Sequence, residues 1–281
     1  MTYQDDQGDM ERIFHSERHR FQIATEFAKE VSKNSAGREA PLRHVLGSYV
    51  FTRMCVSAET ILYLIGTETG LATENTLDHF SIAILSRSLI EASLMLHYLT
   101  EPSITEEEWE LRRAILDLHD YLLRARLFKG LGADAADEYE GWKHRAAERR
   151  AAIKALPAFG LLSKDRKEKI MRGSELYVNG IRGVLTQFSV DRGYFDAIHN
   201  YLSGQVHVAP STFYYMHEGR IDFLAPAPYQ LYVSSFSIAN ARYFLIPAAI
   251  RMLSIDTIVS DAFSEKRIAE MNELASVAFG A

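Results

Sequence analysis

Arg87 and Glu91 are two charged residues one helical turn apart in the most apolar stretch of the chain, residues 81–99. A helix that is apolar on nearly all sides is normally buried, so we expect both charges to lie inside the protein. A buried charge without a partner is strongly destabilising, so other polar residues must pair with Arg87 and Glu91. The pair therefore predicts a buried polar centre, which either binds a small ligand or serves only as a structural hydrogen-bond network.

The segment 192–208 is the second stretch whose polar residues could act together. A helix turns by about 100° per residue, which places six polar side chains within a stripe about 100° wide. They are Arg192, Asp196, His199, Asn200, Ser203 and His207. The stripe predicts either a structural hydrogen-bond network or a ligand-binding or catalytic face.

Arg192 and His199 also resemble the Arg-x(4–6)-His motif of HEPN-type helical ribonucleases, in which an arginine and a histidine act on the phosphodiester. Such cleavage needs a positive charge on the phosphate and a group that exchanges protons near neutral pH. The family commonly has a polar residue directly after the arginine, whereas this chain has Gly193. The resemblance implies an alternative function, RNA cleavage with Arg192 and His199 as catalytic residues.

Metal binding and serine hydrolysis fit these residues less well. Asp196 and His199 have a spacing that can chelate an ion, but the chain contains no Glu-x-x-His motif of the kind that carboxylate bundles use. His207 lies about 12 Å along the helix from His199, too far to share one ion. Ser203 has no Gly-x-Ser-x-Gly elbow around it. We expect no metal and no cofactor.

Charge and cysteine content restrict the class of protein. The 281 residues carry a net charge of −6, which argues against a protein that coats nucleic acid. Residues 143–172 contain ten Lys and Arg against three acids, a local charge of +7 that leaves −13 on the rest. We interpret this segment as a solvated helix pair, with a docking face for an acidic partner or a nucleic-acid backbone as the alternative. Cys55 is the single cysteine, so intrachain disulfides and cysteine-based zinc sites are excluded.

Location and partners follow from the same features. The polar, acidic N-terminus is unlike a signal peptide. The apolar stretches 81–99 and 231–253 are both interrupted by charged residues, so we interpret them as core helices rather than membrane spans. We expect a cytoplasmic protein with no membrane partner and, as its partner, a small-molecule ligand. A homodimer stays open.

Hydrophobic periodicity predicts helices along most of the chain. We expect them at 11–33, 41–65, 74–100, 105–129, 133–155, 175–188, 192–208, 229–254 and 257–278. Residues 213–223 are the one candidate strand pair, or else an ordered loop. The predicted fold is a single all-α helical-bundle domain of eight to ten helices over 1–281, with at most one short β-hairpin near 213–223. Residues 1–40 form its N-terminal helix, placed at the periphery or on a partner, and 41–281 its helical core.

His119 and Tyr121 are weaker candidates for ligand contact. Both lie on the predicted helix 105–129. We interpret them as core residues whose polar ends are satisfied within the fold, with a role in ligand binding as the alternative.

Two motifs of the chain resemble a known family. Arg87-Ser-Leu-Ile-Glu-Ala92 precedes an apolar helix, and Tyr201-Leu-Ser-Gly-Gln-Val-His207 precedes a proline-containing loop. Together they resemble an uncharacterised bacterial all-helical domain-of-unknown-function family with Arg-Ser-x-x-Glu-Ala and Ser-x-x-x-His signatures. The resemblance covers roughly residues 45–255. It implies that Arg87, Glu91, Ser203 and His207 belong to one centre, and it implies no activity. We further expect the two helices to pack face to face and to form this centre between them.

Overall fold

The structure is a computed structural model that describes residues 7–66, 76–207, 209–219, 221, 223, 225–255 and 257–280. The described residues are mostly α-helical, and no β-strand occurs among them. The all-α helical-bundle fold predicted from the hydrophobic periodicity is therefore confirmed.

The chain divides into two compact units. Unit 1 combines Met1–Thr100 with Arg192–Ala281, and unit 2 is Glu101–Asp191. Unit 2 is thus inserted in sequence between two stretches that together form unit 1. The sequence predicts one domain because no long linker rich in proline or glycine marks either junction.

The helices have the following bounds. Unit 1 begins with α1 (Gln7–Ser35), α2 (Leu42–Ile65) and α3 (His79–Leu99). Unit 2 contains α4 (Glu106–Leu131), α5 (Ala136–Ala155), α6 (Pro157–Gly160), α7 (Lys164–Arg172) and α8 (Gly180–Gln187). Unit 1 resumes with α9 (Arg192–Val206), α10 (Pro210–Glu218), α11 (Pro228–Ser254), α12 (Thr257–Ser260) and α13 (Glu265–Ser276).

Side-chain caps fix several of the helix starts. The hydroxyl of Thr105 accepts a hydrogen bond from the backbone N–H of Glu108 at 3.2 Å, as the sequence predicts for the start of α4. Asp78 caps α3 in the same way by accepting from the N–H of Ser81 at 3.0 Å. That cap makes α3 begin at His79, later than the predicted residue 74, which lies outside the described residues.

Residues 213–218 are helical, so the strand pair predicted for 213–223 is wrong there. Pro210 stands in the first turn of α10, where its missing N–H and fixed φ favour a helix start. The helix ends where the N–H of Gly219 bonds to the carbonyl oxygen of Tyr215 at 2.9 Å. The run of aromatic residues at 213–215, typical of a strand, is overridden by this proline-led start. Residues 220 and 222 lie outside the described residues.

Helix α11 is the centre of unit 1, and it is buried on nearly all sides. It packs against α1, α2, α3 and α13. Helix α1 buries Phe14, Phe21 and Phe27 and makes extensive contact with α11. The predicted peripheral position of residues 1–40 is therefore wrong for α1, which is part of the core of unit 1.

Helix α3 is the one described helix whose length and composition would allow it to cross a membrane. Of that apolar window, 56% is buried within the protein. Its packing against α2, α9 and α11 accounts for its apolar surface, as in the core helix of a soluble bundle.

Glu17 and Arg242 form a buried ion pair in the core of unit 1. Arg242 Nη2 lies 3.3 Å from Glu17 Oε2, and each side chain is 1% exposed. Glu17 also accepts from Arg20 Nη1 at 2.8 Å. Arg242 donates in addition to the backbone carbonyl oxygens of Leu274 and Val277, at the C-terminal end of α13. The pair thus joins α1, α11 and α13.

We predict that Glu17→Gln lowers the free energy of unfolding by about 3–5 kcal/mol, because the buried Arg242 charge loses its counter-charge. Urea unfolding followed by circular dichroism measures this loss. The matched control is Glu30→Gln, which also removes an ion pair between α1 and α13. In that pair Arg267 Nη2 lies 2.8 Å from Glu30 Oε2, and both side chains are 46% exposed. An exposed pair contributes about 1 kcal/mol or less, so equal losses in the two variants would contradict the role given to Glu17.

Two histidines of α3 are uncharged in the folded protein. Burial, with a smaller contribution from the charge of Arg251, lowers the pKa of His97 to about 2. The Nε2 atom of His97 is buried, and its Nδ1 accepts from Arg251 Nε at 3.5 Å. Burial also lowers the pKa of His79. Both side chains are protonated more readily in the unfolded chain than in the folded one.

We predict that unit 1 loses stability as the pH falls from about 7 to 5. Histidine in the unfolded chain takes up protons below pH ~6.5, whereas His97 in the folded chain does not, so the loss from His97 approaches about 1.4 kcal/mol per pH unit. His97→Gln reduces this slope in urea unfolding measured at several pH values. The control variant is His144→Gln, which replaces a histidine of unit 2 that is 75% exposed. A wild-type stability that is constant over this range would show that His97 is not held uncharged.

Candidate functional site

Three polar side chains from distant parts of the chain meet where α3 packs against α9. Arg87 Nε donates to Glu91 Oε1 at 3.1 Å, along α3. His199 Nε2, on α9, lies 3.1 Å from the same oxygen and 3.4 Å from Arg87 Nη2. We refer to Arg87, Glu91 and His199 as the α3–α9 cluster.

The α3–α9 cluster lies at the surface of unit 1, so the buried position predicted for Arg87 and Glu91 is wrong. The Arg87 side chain is 20% exposed, Glu91 50% and His199 31%. Helix α3 is apolar on most sides because α2, α9 and α11 all pack against it. One narrow edge remains open to solvent, and the two charged residues lie on that edge.

Ser203 and His207 do not occupy the positions that the motif resemblance implies. The hydroxyl of Ser203 donates to the backbone carbonyl oxygen of His199 at 2.5 Å, so it is bonded within its own helix. His207 follows the last residue of α9 and is exposed. The predicted packing of the two helices does occur, but the residue that reaches Glu91 is His199, two turns before His207.

Arg192 and Asp196 pair with each other at the exposed start of α9. Arg192 Nε donates to Asp196 Oδ2 at 3.1 Å, and the two side chains are 46% and 49% exposed. The arginine that contacts His199 is Arg87, from another helix. The structure therefore brings one residue of the predicted ribonuclease pair, His199, together with the two charged residues of α3.

The sequence contains a partial signal for this arrangement. His199 lies in the polar stripe of α9, while Phe195, Ile198 and Leu202 are buried on the side that packs inward. The ring of His199 stacks on Phe195, with centroids 5.5 Å apart and planes at 23°. The histidine is therefore at the boundary between the polar and apolar faces, where it can reach a neighbouring helix. The identity of that neighbour depends on tertiary packing and is not encoded locally.

His119 and Tyr121 belong to unit 2, where each has partners of its own. His119 Nδ1 lies 3.0 Å from the carbonyl oxygen of Gly173. The Tyr121 ring packs against Trp142, with centroids 5.6 Å apart, and the Arg149 guanidinium lies 5.9 Å from the Tyr121 ring centroid. His119 therefore has a backbone partner, the contacts of Tyr121 are those of its ring, and both side chains are half-buried.

The basic segment 143–172 uses several of its cations in contacts within unit 2. Arg149 pairs with Asp117 at 3.1 Å, and Arg166 pairs with Glu175 at 2.5 Å. Arg150 Nε donates to the carbonyl oxygen of Met171 at 2.8 Å. These contacts support the interpretation of the segment as a solvated helix pair.

The proton positions in the α3–α9 cluster are in conflict. With a proton on Nε2, His199 donates to Glu91, and Arg87 then faces an N–H group instead of an acceptor. Without that proton, Nε2 accepts from Arg87 but turns a lone pair toward the Glu91 carboxylate. One nitrogen therefore cannot serve both partners at once: when it donates to Glu91, Arg87 Nη2 has no acceptor within the cluster.

The composition of the cluster disfavours a metal ion. Among the described residues, no group of three or more histidine, cysteine, aspartate or glutamate side chains is placed to hold a metal ion. At the cluster itself, the Arg87 guanidinium adds a positive charge beside Glu91 and His199, which disfavours a cation.

No family model, curated protein or solved structure matches this chain. The resemblance to the Arg-Ser-x-x-Glu-Ala family stays a prediction.

Proposed function

We propose that the protein binds a small ligand with an anionic group, a phosphate or a carboxylate, at the α3–α9 cluster. The observation that carries the proposal is the position of His199 Nε2, which lies 3.1 Å from Glu91 Oε1 and 3.4 Å from Arg87 Nη2. An anion that accepts from Arg87 leaves His199 free to donate to Glu91. Ligand binding thereby removes the conflict over the proton.

The donor chemistry of the cluster supports an anionic ligand. A guanidinium has five N–H groups in a planar fork, more than Glu91 and His199 can accept, and this fork matches carboxylate and phosphate oxygens. All three side chains are partly exposed, so a ligand reaches them without opening the core. Partial exposure also leaves the guanidinium less hydrated than a fully exposed one, which strengthens a charge-assisted hydrogen bond.

The competing interpretation is that the cluster only joins α3 to α9. The two helices already pack against each other, and α9 buries the apolar residues Phe195, Ile198 and Leu202. A partly exposed ion pair adds about 1 kcal/mol or less to such packing. Stability therefore gives little reason for three polar groups at this position.

We also propose that the protein acts in the cytoplasm. The single cysteine, Cys55, is buried, and burial raises the pKa of its thiol to about 12. A chain with one unreactive thiol has no need of an oxidising compartment.

We predict that inorganic phosphate raises the thermal unfolding midpoint of the wild-type protein at constant ionic strength, because a ligand that binds the folded state stabilises it. Arg87→Gln raises the phosphate dissociation constant at least tenfold. The matched control is Arg124→Gln: Arg124 Nε also donates to a carboxylate one turn away, Asp120, at 2.7 Å, and is 51% exposed. We expect this control to bind phosphate as the wild type does.

Two results would contradict the proposal. The first is an equal effect of phosphate on the wild type, Arg87→Gln and Arg124→Gln, which would indicate a general salt effect. The second is a loss of about 3 kcal/mol or more in the free energy of unfolding on Glu91→Gln without any change in phosphate binding. That combination is the behaviour of a structural pair.

The second candidate function is RNA cleavage with His199 as the group that exchanges protons. It is favoured by one observation: His199 is accessible, bonded to a carboxylate and beside a guanidinium. Arg192, the arginine of the sequence motif, is paired with Asp196 instead. We expect Arg87 to take the place of Arg192 at the phosphate in this case.

The RNA cleavage candidate predicts that the protein degrades a fluorescent single-stranded RNA. His199→Ala and Arg87→Gln abolish cleavage, while Arg192→Gln retains it. Cleavage that survives His199→Ala, or no cleavage by the wild type, would reject this second function and leave the binding proposal intact.

A further inference from the structure

Helix α2 presents a regular stripe of exposed apolar side chains. Leu42, Tyr49, Val56 and Tyr63 are spaced by seven residues and are 50%, 68%, 57% and 69% exposed. The opposite side of the helix is buried against the rest of unit 1, with Phe51, Met54, Ala58 and Ile61 among its core residues. We refer to the four exposed residues as the α2 stripe.

The spacing of the α2 stripe is that of a helix which packs against another helix. Seven residues make nearly two turns, so successive members drift by only about 20° around the axis. The four side chains form a line about 31 Å long, with about 10 Å between successive members and exposed polar residues such as Arg53 and Thr60 on the turns between them. A second helix inclined by about 20° follows such a band along its length.

The outward face of α2 also has little charge for an exposed helix. Its 24 residues include only three charged side chains, Arg43, Arg53 and Glu59. Glu59 pairs with Lys29 of α1, and Arg53 donates to Ser88 Oγ of α3 at 3.2 Å. Depletion of charge around an apolar centre is characteristic of the core of protein interfaces.

We infer that the α2 stripe binds the α2 stripe of a second copy of this chain, in antiparallel orientation. A two-fold axis midway between Tyr49 and Val56 places Tyr49 opposite Val56 of the other copy. The same axis places Leu42 opposite Tyr63. Each of the four layers then combines one aromatic with one aliphatic side chain. The order of residues along the stripe is thus complementary to itself, as an interface with two-fold symmetry requires.

A parallel pair is less well matched. It sets Tyr against Tyr in two layers and Val56 against Val56 in a third, so large and small layers alternate and the small one leaves a gap. The order of large and small side chains along the α2 stripe therefore favours a second copy in antiparallel orientation.

The exposed area is sufficient for a reversible dimer. Each stripe side chain offers on the order of 100 Å², which gives about 800 Å² for the two copies together. Stable interfaces bury about 1,200–2,000 Å² in total. The stripe alone is therefore the size of a weak, transient interface, and exposed residues beside it, among them Thr52, Arg53 and Thr60, add to the area. We expect a dissociation constant in the micromolar range.

Sedimentation over a range of protein concentrations tests the inference. The wild type forms dimers, and Val56→Asp raises the dimer dissociation constant at least a hundredfold because it places a carboxylate in two central layers. The matched control is Leu127→Asp, which adds the same charge at an exposed leucine of α4 in unit 2; Leu127 is 59% exposed, against 57% for Val56. Circular dichroism confirms that both variants are folded.

Cysteine cross-linking tests whether the two α2 helices are antiparallel, with substitutions that add no charge. Under mild oxidation, a mixture of Tyr49→Cys and Val56→Cys forms disulfide dimers, whereas each variant alone does not. Equivalent residues of an antiparallel pair are displaced by about 10 Å along the axis, beyond the reach of a disulfide. Cys55 does not interfere, because burial raises the pKa of its thiol to about 12.

Four results would overturn the inference. They are a wild-type protein that is monomeric at high micromolar concentration, a dimer that Val56→Asp leaves intact, a dimer that Leu127→Asp dissociates instead, and efficient disulfide formation by either single cysteine variant alone. A monomer that floats with phospholipid vesicles through Val56 would instead assign the stripe to a membrane surface.

Discussion

The ion pair between Glu17 and Arg242 is the constraint on which the arrangement of unit 1 depends. The side chains are 1% exposed, so neither charge can be satisfied by water, and Glu17 is the acidic partner of Arg242. Arg242 also donates to the backbone carbonyl oxygens of Leu274 and Val277 at the end of α13. The pair therefore fixes α1, α11 and the C-terminal helix at once. With α11 held in this way, its remaining faces are available for α2 and α3.

The α3–α9 cluster is a consequence of that frame. Helix α3 is held against α11, where Ser93 Oγ donates to the carbonyl oxygen of Phe244 at 3.0 Å. Helix α9 lies beside α3 and buries Phe195 and Ile198. Arg87 and Glu91 then face His199 at the solvent edge of this contact. The Glu17–Arg242 pair and the α3–α9 cluster therefore differ. The pair is buried and joins helices, whereas the cluster is partly exposed and its hydrogen bonds are incompletely satisfied.

The local parts of this structure were predictable from the sequence, and the tertiary parts were not. Periodicity and capping residues such as Thr105 indicate where the helices lie, because both act within a few residues of chain. Pro210 was the local signal that residues 210–218 are helical, but the aromatic residues that follow it favoured a strand. Glu17 and Arg242 are separated by 225 residues, and no spacing rule connects them. Arg87 and Glu91 were found from their apolar surroundings, yet their exposure depends on which faces of α3 its three neighbours cover. His199 was identified as a polar-stripe residue, while its contact with α3 follows from packing alone.

We propose that phosphate or a similar anion accepts hydrogen bonds from Arg87, while His199 stays hydrogen-bonded to Glu91. Long-range ¹H–¹⁵N NMR spectra of the imidazole nitrogens during a phosphate titration test it most directly. His144, which lies 3.2 Å from Glu148 on the exposed face of α5, is the internal reference within the same molecule. We expect the nitrogen chemical shifts of His199 to change and to reach a plateau as phosphate is added, while those of His144 stay unchanged. Equal shifts at both histidines, or none at His199, would contradict it.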